Sequence, residues 1–378
     1  MDRSLAELVK ISRAVGGDAT LVLGEFGNTS VKTEDGRYMY VKASATALKN
    51  MSSKKGWRRL KLDSVRAILR DKRFAGMDAN KKQAGLTELL LSACRDNFSG
   101  AVAPSIETGF HSILDRFVIH LHPAAVLAYL CAKNGQAELE RLFRKEKIKP
   151  AWVPCANPGH KLAGKMRNSI RKHKKRYNKL PQVLFLQNHG LVVTADDAKT
   201  ALKLVQKTIS ICKARLKRLK KVKIQKADKR KIAEVILGIR EIFSDITGRD
   251  VIVKHFIDET IAAVAAEKDA AKICKPPAVT LDELVYTGGP AVWLDKWNRK
   301  TFINKLSRRA ANKQELPSGF LIKSLGLFVA GEKEKTSFKK DVICTYLFVR
   351  RQAVRLGGIH CLNKRQREFI RQIERQKQ

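Results

Sequence analysis

The sequence predicts an α/β protein in which helices cover a sheet in layers. Short apolar runs alternate with amphipathic stretches of helical period along its 378 residues, and this alternation is typical of layered α/β domains. Hydrophobic residues make up 44% of the chain, which suffices for one large core or two modest ones. No apolar run approaches the roughly 20 residues that span a bilayer, so the sequence excludes a membrane-embedded protein.

The individual elements are predicted from the period of their apolar residues. Runs that alternate or are wholly apolar predict strands, at residues 20–23, 38–42, 117–121 and 183–186. Stretches of helical period predict helices, at residues 1–15, 60–69, 86–93, 123–133, 198–222 and from Asn363 onward. No internal repeat is visible among these elements.

The clearest break in the chain lies at residues 275–290, where two adjacent prolines are followed by a Gly-Gly-Pro turn. We therefore expect a main domain over residues 1–275 and a C-terminal extension over residues 276–378. Few apolar residues follow the break, so we expect the extension to pack on the main domain and to lack a core of its own.

Basic residues are strongly clustered. The chain has 76 Lys and Arg against 36 Asp and Glu, a formal net charge of +40. Residues 141–180 and 203–231 carry much of this charge, and in residues 211–226 the apolar positions form one helical stripe among lysines and arginines, at Cys212, Leu216, Leu219 and Val222. Such a surface suits RNA or another polyanion, and it is equally compatible with a solvated lysine-rich surface.

The seven cysteines are scattered and form no CxxC pair. This usage is typical of reduced thiols in a cytosol-like compartment, so a cytoplasmic location is predicted. It also argues against a zinc site built from thiolates.

Three histidines and one glutamate suggest a metal-dependent site. His120 and His122 end a predicted strand, and because alternate residues of a strand face the same side, their rings project together. His189 ends the next buried run and precedes Gly190, which we expect to free the backbone for a turn. Three histidines leave one coordination position open, as in catalytic zinc; the alternative is a pair of half-buried structural histidines. Glu107 is a candidate acid or base.

Two turns rich in glycine and hydroxyl groups follow predicted strands near the N-terminus. They are GEFGNTSVK at residues 24–32 and KASAT at residues 42–46. Their N–H and hydroxyl groups, with Lys32, suit an anionic group of a substrate. An ordinary hairpin turn is the alternative.

In this order, the segments GNTSVK, VKASAT, PSIETGFH, VIHLHP, NPGHKLA and QNHGLVV resemble the class II aldolase family. The similarity is greatest to the aldolase part of bifunctional rhamnulose-1-phosphate aldolase/short-chain dehydrogenase proteins, and it continues through LDELVYTGG and GLFVAGEKEK. It implies a layered α/β/α aldolase-like domain with a C-terminal extension. No GxGxxG motif follows, so the dehydrogenase part is not expected.

The resemblance also implies roles for particular residues. His120, His122 and His189 would hold Zn²⁺ or another divalent metal, and Glu107 would be the acid/base residue. The residues implied around the substrate phosphate are Gly27, Asn28, Ser44 and Ser105.

The implied activity is cleavage of a ketose 1-phosphate to dihydroxyacetone phosphate and an aldehyde by a homo-oligomer, a tetramer by resemblance. Glu25, Phe26 and Ala45 stand where the family is expected to have glycine, and Ile106 stands where its simpler members have serine. These differences put the substrate in question. The alternatives are a family epimerase or dehydratase, and an aldolase-like protein recruited as a basic RNA- or polyanion-binding scaffold.

Overall fold

The computed structural model describes residues 2–74, 77, 79–96, 102–218, 222, 224, 228–312, 314 and 316–375. The chain forms two compact units. The first comprises residues 1–130, 136–215 and 371–378, and the second comprises residues 131–135 and 216–370. The predicted α/β class is confirmed, because each unit combines helices with a sheet.

A seven-stranded sheet forms the centre of the first unit. Its strands are β1 (Asn28–Lys32), β2 (Tyr38–Lys42), β3 (Trp57–Lys61), β4 (Phe117–Leu121), β5 (Ala151–Val153), β6 (Val183–Leu186) and β7 (Gly190–Ala195). They lie in the order β3-β2-β1-β4-β7-β6-β5. β5 pairs in parallel with β6, and the other neighbours are antiparallel.

Helices cover this sheet on both faces. They are α1 (Arg3–Gly16), α2 (Leu62–Arg70), α3 (Ala79–Ser92), α4 (Thr108–His111), α5 (Ala124–Leu130), α6 (Gly135–Phe143), α7 (His160–Tyr177) and α8 (Ala198–Ala214). On one face Leu162 and Met166 of α7 pack against Val118, Leu184 and Val192. Helices α1, α5 and α8 also contact the sheet, and every residue of β4, β6 and β7 is buried. The predicted layering is therefore present.

Most of the predicted strands are confirmed, and one is wrong. β2, β4 and β6 coincide with the predicted runs. Residues 20–23 are instead a turn and irregular backbone, because Asp18 accepts the N–H groups of Thr20 and Leu21. The helix expected to reach Val222 ends at Ala214. Leu219, part of its predicted apolar stripe, lies outside the described residues.

The second unit has a four-stranded sheet of its own. Its strands are β8 (Ile252–Phe256), β9 (Val292–Leu294), β10 (Gly319–Ile322) and β11 (Gly326–Gly331), in the order β8-β11-β10-β9. The helices from residue 229 onward are α9 (Lys229–Thr247), α10 (Glu259–Ala265), α11 (Ala270–Cys274), α12 (Leu281–Thr287), α13 (Arg299–Ala311), α14 (Thr336–Arg355) and α15 (Lys364–Arg375). Across the described residues, none of the helices combines the length and apolarity needed to cross a membrane.

The second unit begins earlier than the break at residues 275–290 suggested. Its core joins Ile239 and Phe243 of α9 to Phe302, Phe320 and Phe328, and β8 pairs with β11. The expected extension over residues 276–378 therefore shares a core with residues 235–253. The apolar residues before residue 275, which were assigned to the main domain, complete a separate core with those after it.

A buried ion pair holds the segment that contains the two prolines. The guanidinium of Arg350 donates to both carboxylate oxygens of Glu283, at 2.6 and 2.8 Å. It also donates to the carbonyl groups of Ile273 and Pro277, and Glu283 accepts the N–H of Val279 at 2.8 Å. The charged groups are thus satisfied within the core of the second unit.

Replacing Glu283 with Ala should destabilise the protein, because the buried guanidinium of Arg350 loses its counter-charge. Removal of one partner of a buried ion pair costs about 3–5 kcal/mol, so the free energy of unfolding in urea should fall by that amount. The exposed pair Arg240–Asp250 supplies the control, because Asp250→Ala should change this free energy by less than about 1 kcal/mol. Equal losses in the two variants would contradict the role of the buried pair.

Candidate metal centre

The three histidines that the sequence singled out lie at the end of β4 and just before the start of β7, its neighbour in the first sheet. His120 lies in β4, and His122 follows the last residue of this strand. His189 lies in the turn between β6 and β7. Because β4 and β7 are antiparallel, with Leu121 opposite Leu191, the end of β4 meets the start of β7. The ladder thus brings together residues that are far apart in sequence.

The ring nitrogens of these histidines converge. Nε2 of His120 lies 3.1 Å from Nε2 of His189 and 3.0 Å from Nε2 of His122. Nitrogen ligands at about 2.0–2.1 Å from a tetrahedral zinc ion lie about 3.3 Å from one another. The cluster can therefore hold a metal ion with three nitrogen ligands.

The hydrogen bonding and burial of His120 suit a metal ligand. Its Nδ1 lies 3.0 Å from the carbonyl oxygen of Leu191. A carbonyl oxygen only accepts, so Nδ1 carries the proton and Nε2 presents its lone pair to the cluster. Burial lowers the pKa of His120 well below its ordinary value, and the ring is therefore neutral near pH 7. Neutral imidazole is the form that binds zinc.

Gly190 leaves the space that the histidine rings occupy. A Cβ atom at this position would lie 2.5 Å from Cδ2 of His122, 2.6 Å from the carbonyl oxygen of Leu121 and 2.9 Å from Cε1 of His120. The expected reason for this glycine, freedom of the backbone to turn, is wrong. The residue with positive φ in the turn is Asn188, at 56°, and Gly190 is required by the close approach of its neighbours.

The carboxylate of Glu107 faces the histidine cluster. Its Oε1 lies 3.0 Å from Nε2 of His189, and its Oε2 lies 3.4 Å from Nε2 of His120. The amide of Asn28 donates to Oε2 at 2.9 Å. Burial raises the pKa of Glu107, but its interactions with His120 and His189 outweigh burial and lower the pKa below the ordinary range. The group is therefore an ionised carboxylate held in a fixed orientation.

The residues implied around a phosphate lie beside this carboxylate. Asn28 donates to Oγ of Ser105 at 2.9 Å as well as to Glu107. The hydroxyl of Ser44 donates to the carbonyl of the residue before Ser105, at 3.3 Å. Gly27 has a φ of 82° and precedes Asn28 in the chain. The structure thus places Gly27, Asn28, Ser44 and Ser105 near one another and near Glu107.

Three details of this region were not predicted. Lys32, expected to add charge to the anion-binding turn, instead donates to three backbone carbonyl groups at 2.6 to 2.9 Å. Ala45 has a φ of 50°, a left-handed conformation that costs a residue other than glycine about 1–2 kcal/mol. The ring of Phe26 stacks on that of His122, with centroids 6.0 Å apart. No sequence pattern links Phe26 to a residue so distant in the chain.

The family model of the class II aldolase and adducin N-terminal domain matches residues 6–216, more than half of the chain. The chain belongs to this family. The matched range ends where the first unit gives way to the second, and it contains His120, His122, His189 and Glu107. Membership identifies the first unit as an aldolase-like domain, in a family whose aldolases are typically dependent on a divalent metal.

Individual proteins are similar to this chain at low sequence identity. The uncharacterized oxidoreductase YuxG of Bacillus subtilis (strain 168) is 26% identical over 325 residues, which cover 80% of this chain and 43% of YuxG. This chain thus spans less than half the length of that relative. Among solved structures, the N-terminal class II aldolase domain of a conserved protein from Thermoplasma acidophilum is 24% identical with a TM-score of 0.45, over 57% of this chain and 94% of that one. The L-fuculose-1-phosphate aldolase from Thermus thermophilus is 13% identical with a TM-score of 0.35, over 57% and 94% of the respective chains.

Replacing Gly190 with Ala should weaken metal binding, because the added Cβ displaces the rings of His120 and His122. We expect the affinity for Zn²⁺ to fall by about 10–100-fold, the range typical of changes that misplace a ligand. Competition with a fluorescent chelator measures it. Gly164 in α7 has no atom within 4 Å of the corresponding Cβ position, so Gly164→Ala should leave the affinity unchanged. Equal affinities in the two variants would refute the steric argument.

Proposed function

We propose that this chain is a metal-dependent lyase that cleaves a ketose 1-phosphate, similar to rhamnulose 1-phosphate, to dihydroxyacetone phosphate and an aldehyde. The observation that carries the proposal is the convergence of His120, His122 and His189, at 3.0 and 3.1 Å, beside the buried carboxylate of Glu107. The family to which the chain belongs supports the same reaction class. In this proposal the three histidines are the metal ligands.

The cation and the carboxylate have complementary tasks. A bound Zn²⁺, or a similar divalent ion, would polarise the ketone carbonyl and stabilise the negative charge that develops as the C3–C4 bond breaks. The C4 hydroxyl loses its proton as it becomes the aldehyde, and the ionised carboxylate of Glu107 would take up a proton and deliver it to C3, the carbon that loses its bond. The amide of Asn28, 2.9 Å from Oε2, keeps this carboxylate oriented while the proton moves.

The phosphate of the substrate is assigned to the turns around Gly27, Asn28, Ser44 and Ser105. Their hydroxyl and N–H groups are donors suited to an anion. The ammonium of Lys32 is not assigned to the phosphate, because it donates to three backbone carbonyl oxygens. An epimerase or dehydratase of the same family would use the same cation and base and differ in the bond that breaks.

We extend the proposal to the assembly and location of the protein. A homo-oligomer, a tetramer by family resemblance, is proposed. The seven cysteines are free thiols, which agrees with the proposed cytoplasmic location.

Two substitutions should separate metal binding from catalysis. His120→Ala should lose both the cation and aldol cleavage, because it removes a ligand. Glu107→Gln should keep the cation while kcat falls by about 10²–10⁴-fold, the usual contribution of a general acid or base. Elemental analysis gives the metal content, and release of dihydroxyacetone phosphate from a panel of ketose 1-phosphates gives the activity.

His173→Ala is the matched control for the loss of a ligand. The ring of His173 is buried and lies 2.8 and 3.0 Å from the carbonyl oxygens of Lys149 and Lys179, so this variant should keep the cation. Wild-type protein that contains no divalent ion after purification without chelators would remove the enzyme proposal. Turnover without release of dihydroxyacetone phosphate would favour the epimerase or dehydratase.

A second candidate function, binding of RNA, is supported by the surface of α7. This helix buries Leu162, Met166 and Ile170 on one side. Nine basic side chains of the helix and the turn after it are exposed, at Lys161, Lys165, Arg167, Arg171, Lys172, Lys174, Lys175, Arg176 and Lys179. Residues 160–177 contain no acidic residue. We define these nine side chains as the basic face.

The basic face differs from other charged groups of the same segment. Arg141 pairs with Glu138, and Glu146 pairs with Lys207. Within the described part of the chain, no acidic group lies within ion-pair distance of the basic face. A row of uncompensated cations along one helix attracts phosphates and gives salt-sensitive binding.

Neutralising the basic face should weaken retention on heparin and binding to single-stranded RNA. The variant replaces five of its residues with Gln, at Lys165, Arg167, Arg171, Lys172 and Lys175. The slope of log K against log salt should become shallower by about 0.7 for each lost phosphate contact.

The control replaces the same number of exposed lysines with Gln elsewhere in the first unit, at Lys10, Lys49, Lys54, Lys55 and Lys61. It should keep most of the salt dependence. Equal losses in the two variants would show that net charge, not the basic face, attracts the RNA. Elution of the wild-type protein at low ionic strength would count against RNA binding altogether.

A further inference from the structure

The sheet of the second unit repeats the arrangement of four strands in the first. In the first unit β4–β7 and β7–β6 are antiparallel and β6–β5 is parallel. In the second unit β8–β11 and β11–β10 are antiparallel and β10–β9 is parallel. Helices follow in the same order: α5 and α10 after the first strand, α7 and α13 before the third, and α8 and α14 after the last.

The pairing of residues within the two hairpins coincides. In the hairpin of β6 and β7, Leu186 lies opposite Gly190, and in the hairpin of β10 and β11, Ile322 lies opposite Gly326. The shift that takes residue 186 to 322 and residue 190 to 326 also takes every other pair of the first hairpin to a pair of the second. Agreement in strand order alone is common among sheets, but agreement in register as well is much more specific.

The neighbouring strand keeps this register and carries a histidine at the same place. His120 of β4 lies opposite Val192 of β7. His255 of β8 lies opposite Phe328 of β11, which is the residue that corresponds to Val192. His255 is therefore the counterpart of His120.

The turns of the two hairpins also correspond. Asn188 and Ser324, at equivalent positions, are both left-handed, with φ of 56° and 64°. The residue after each donates its N–H to the last residue of the preceding strand, at 3.0 and 3.1 Å. A Cβ atom at Gly326 would lie 2.8 Å from the carbonyl oxygen of Phe256 and 3.2 Å from Nε2 of His255. The atoms that crowd Gly190 belong to the equivalent residues of the first unit.

We infer that the second unit contains a second copy of the strands that carry the histidine cluster, and that two of its three ligand positions have become apolar. Ile257 stands at the position of His122, and Leu325 stands at that of His189. Leu325 is buried in the core of the unit, and Nε2 of His255 lies 2.6 Å from its carbonyl oxygen. Within the described residues, the proposed cation site of the first unit thus has one vestigial counterpart in the second unit, which two substitutions should restore.

Restoring the two histidines tests this inference, which rests on the ligands assigned in the proposed function. The variant Ile257→His/Leu325→His should bind one more Zn²⁺ per chain than the wild-type protein. Adding His120→Ala to it should leave one ion, bound by the second unit alone. Isothermal titration and elemental analysis measure the number of ions, and thermal unfolding with and without Zn²⁺ reports folding and stabilisation by the ion.

The control places the same two histidines out of register. Lys323 is exposed and lies two residues before Leu325, so Ile257→His/Lys323→His keeps only the pair formed with His255 and should bind an additional ion at least tenfold more weakly. If the variant with Leu325→His does not fold, the single variant Ile257→His tests the vestigial site in its place. It forms an HxH pair with His255 at an exposed position and should bind Zn²⁺ at least tenfold more tightly than the exposed control Ile303→His.

The outcomes separate this inference from the proposed function. A folded Ile257→His/Leu325→His variant that binds no more Zn²⁺ than its control would overturn the inference. A cation that remains in His120→Ala and disappears on further His255→Ala would also overturn it, because the second site would then be intact. Wild-type protein without metal, together with one ion in the triple variant, would refute the proposed function and support the inference.

Discussion

The antiparallel ladder between β4 and β7 is the constraint on which the rest of the site depends. It places the end of one strand against the start of the other, so His120 and His189 meet although they are far apart in the chain. The carbonyl of Leu191 in the same ladder fixes the proton of His120 on Nδ1. The sheet therefore sets both the position and the protonation of the ring. On the other side of β4, β1 sets Asn28 opposite His120, and Asn28 orients Glu107.

Burial gives this arrangement its electrostatic character. The rings of His120 and His122 and the carboxylate of Glu107 are largely withdrawn from water. This burial keeps the ring of His120 neutral and strengthens the interactions of the carboxylate with its neighbours. Little water reaches these groups, so they would interact more strongly with a bound cation than exposed groups would. In the second unit, the buried charges of Arg350 and Glu283 neutralise each other.

The sequence predicted the parts of the fold that depend on local pattern. β4 and β6 were identified because their residues are continuously apolar, and the pairing of His120 with His122 follows from the alternation of side chains along a strand. His189 and Glu107 were candidates from their own positions in the sequence, and the family resemblance implied the same roles, since nothing local connects either residue to His120. The core of the second unit was missed because its apolar residues are divided between α9 and segments much later in the chain. The internal duplication was missed because few residues recur in its hairpin, at Gly190, Leu191 and Val193 against Gly326, Leu327 and Val329.

The glycine that opens β7 and its counterpart in β11 have a further meaning. Gly326 persists beside Ile257 and Leu325, where two of the three histidines are missing, and both glycines are in close contact with a carbonyl group of the adjacent strand. Gly326 also has a φ of 108°. The backbone at this corner therefore requires a glycine even where two of the histidines are missing, and the imidazoles of the first unit occupy space that the glycine leaves clear. A glycine at such a corner therefore indicates the backbone geometry of the hairpin, and only the histidines around it indicate a metal site.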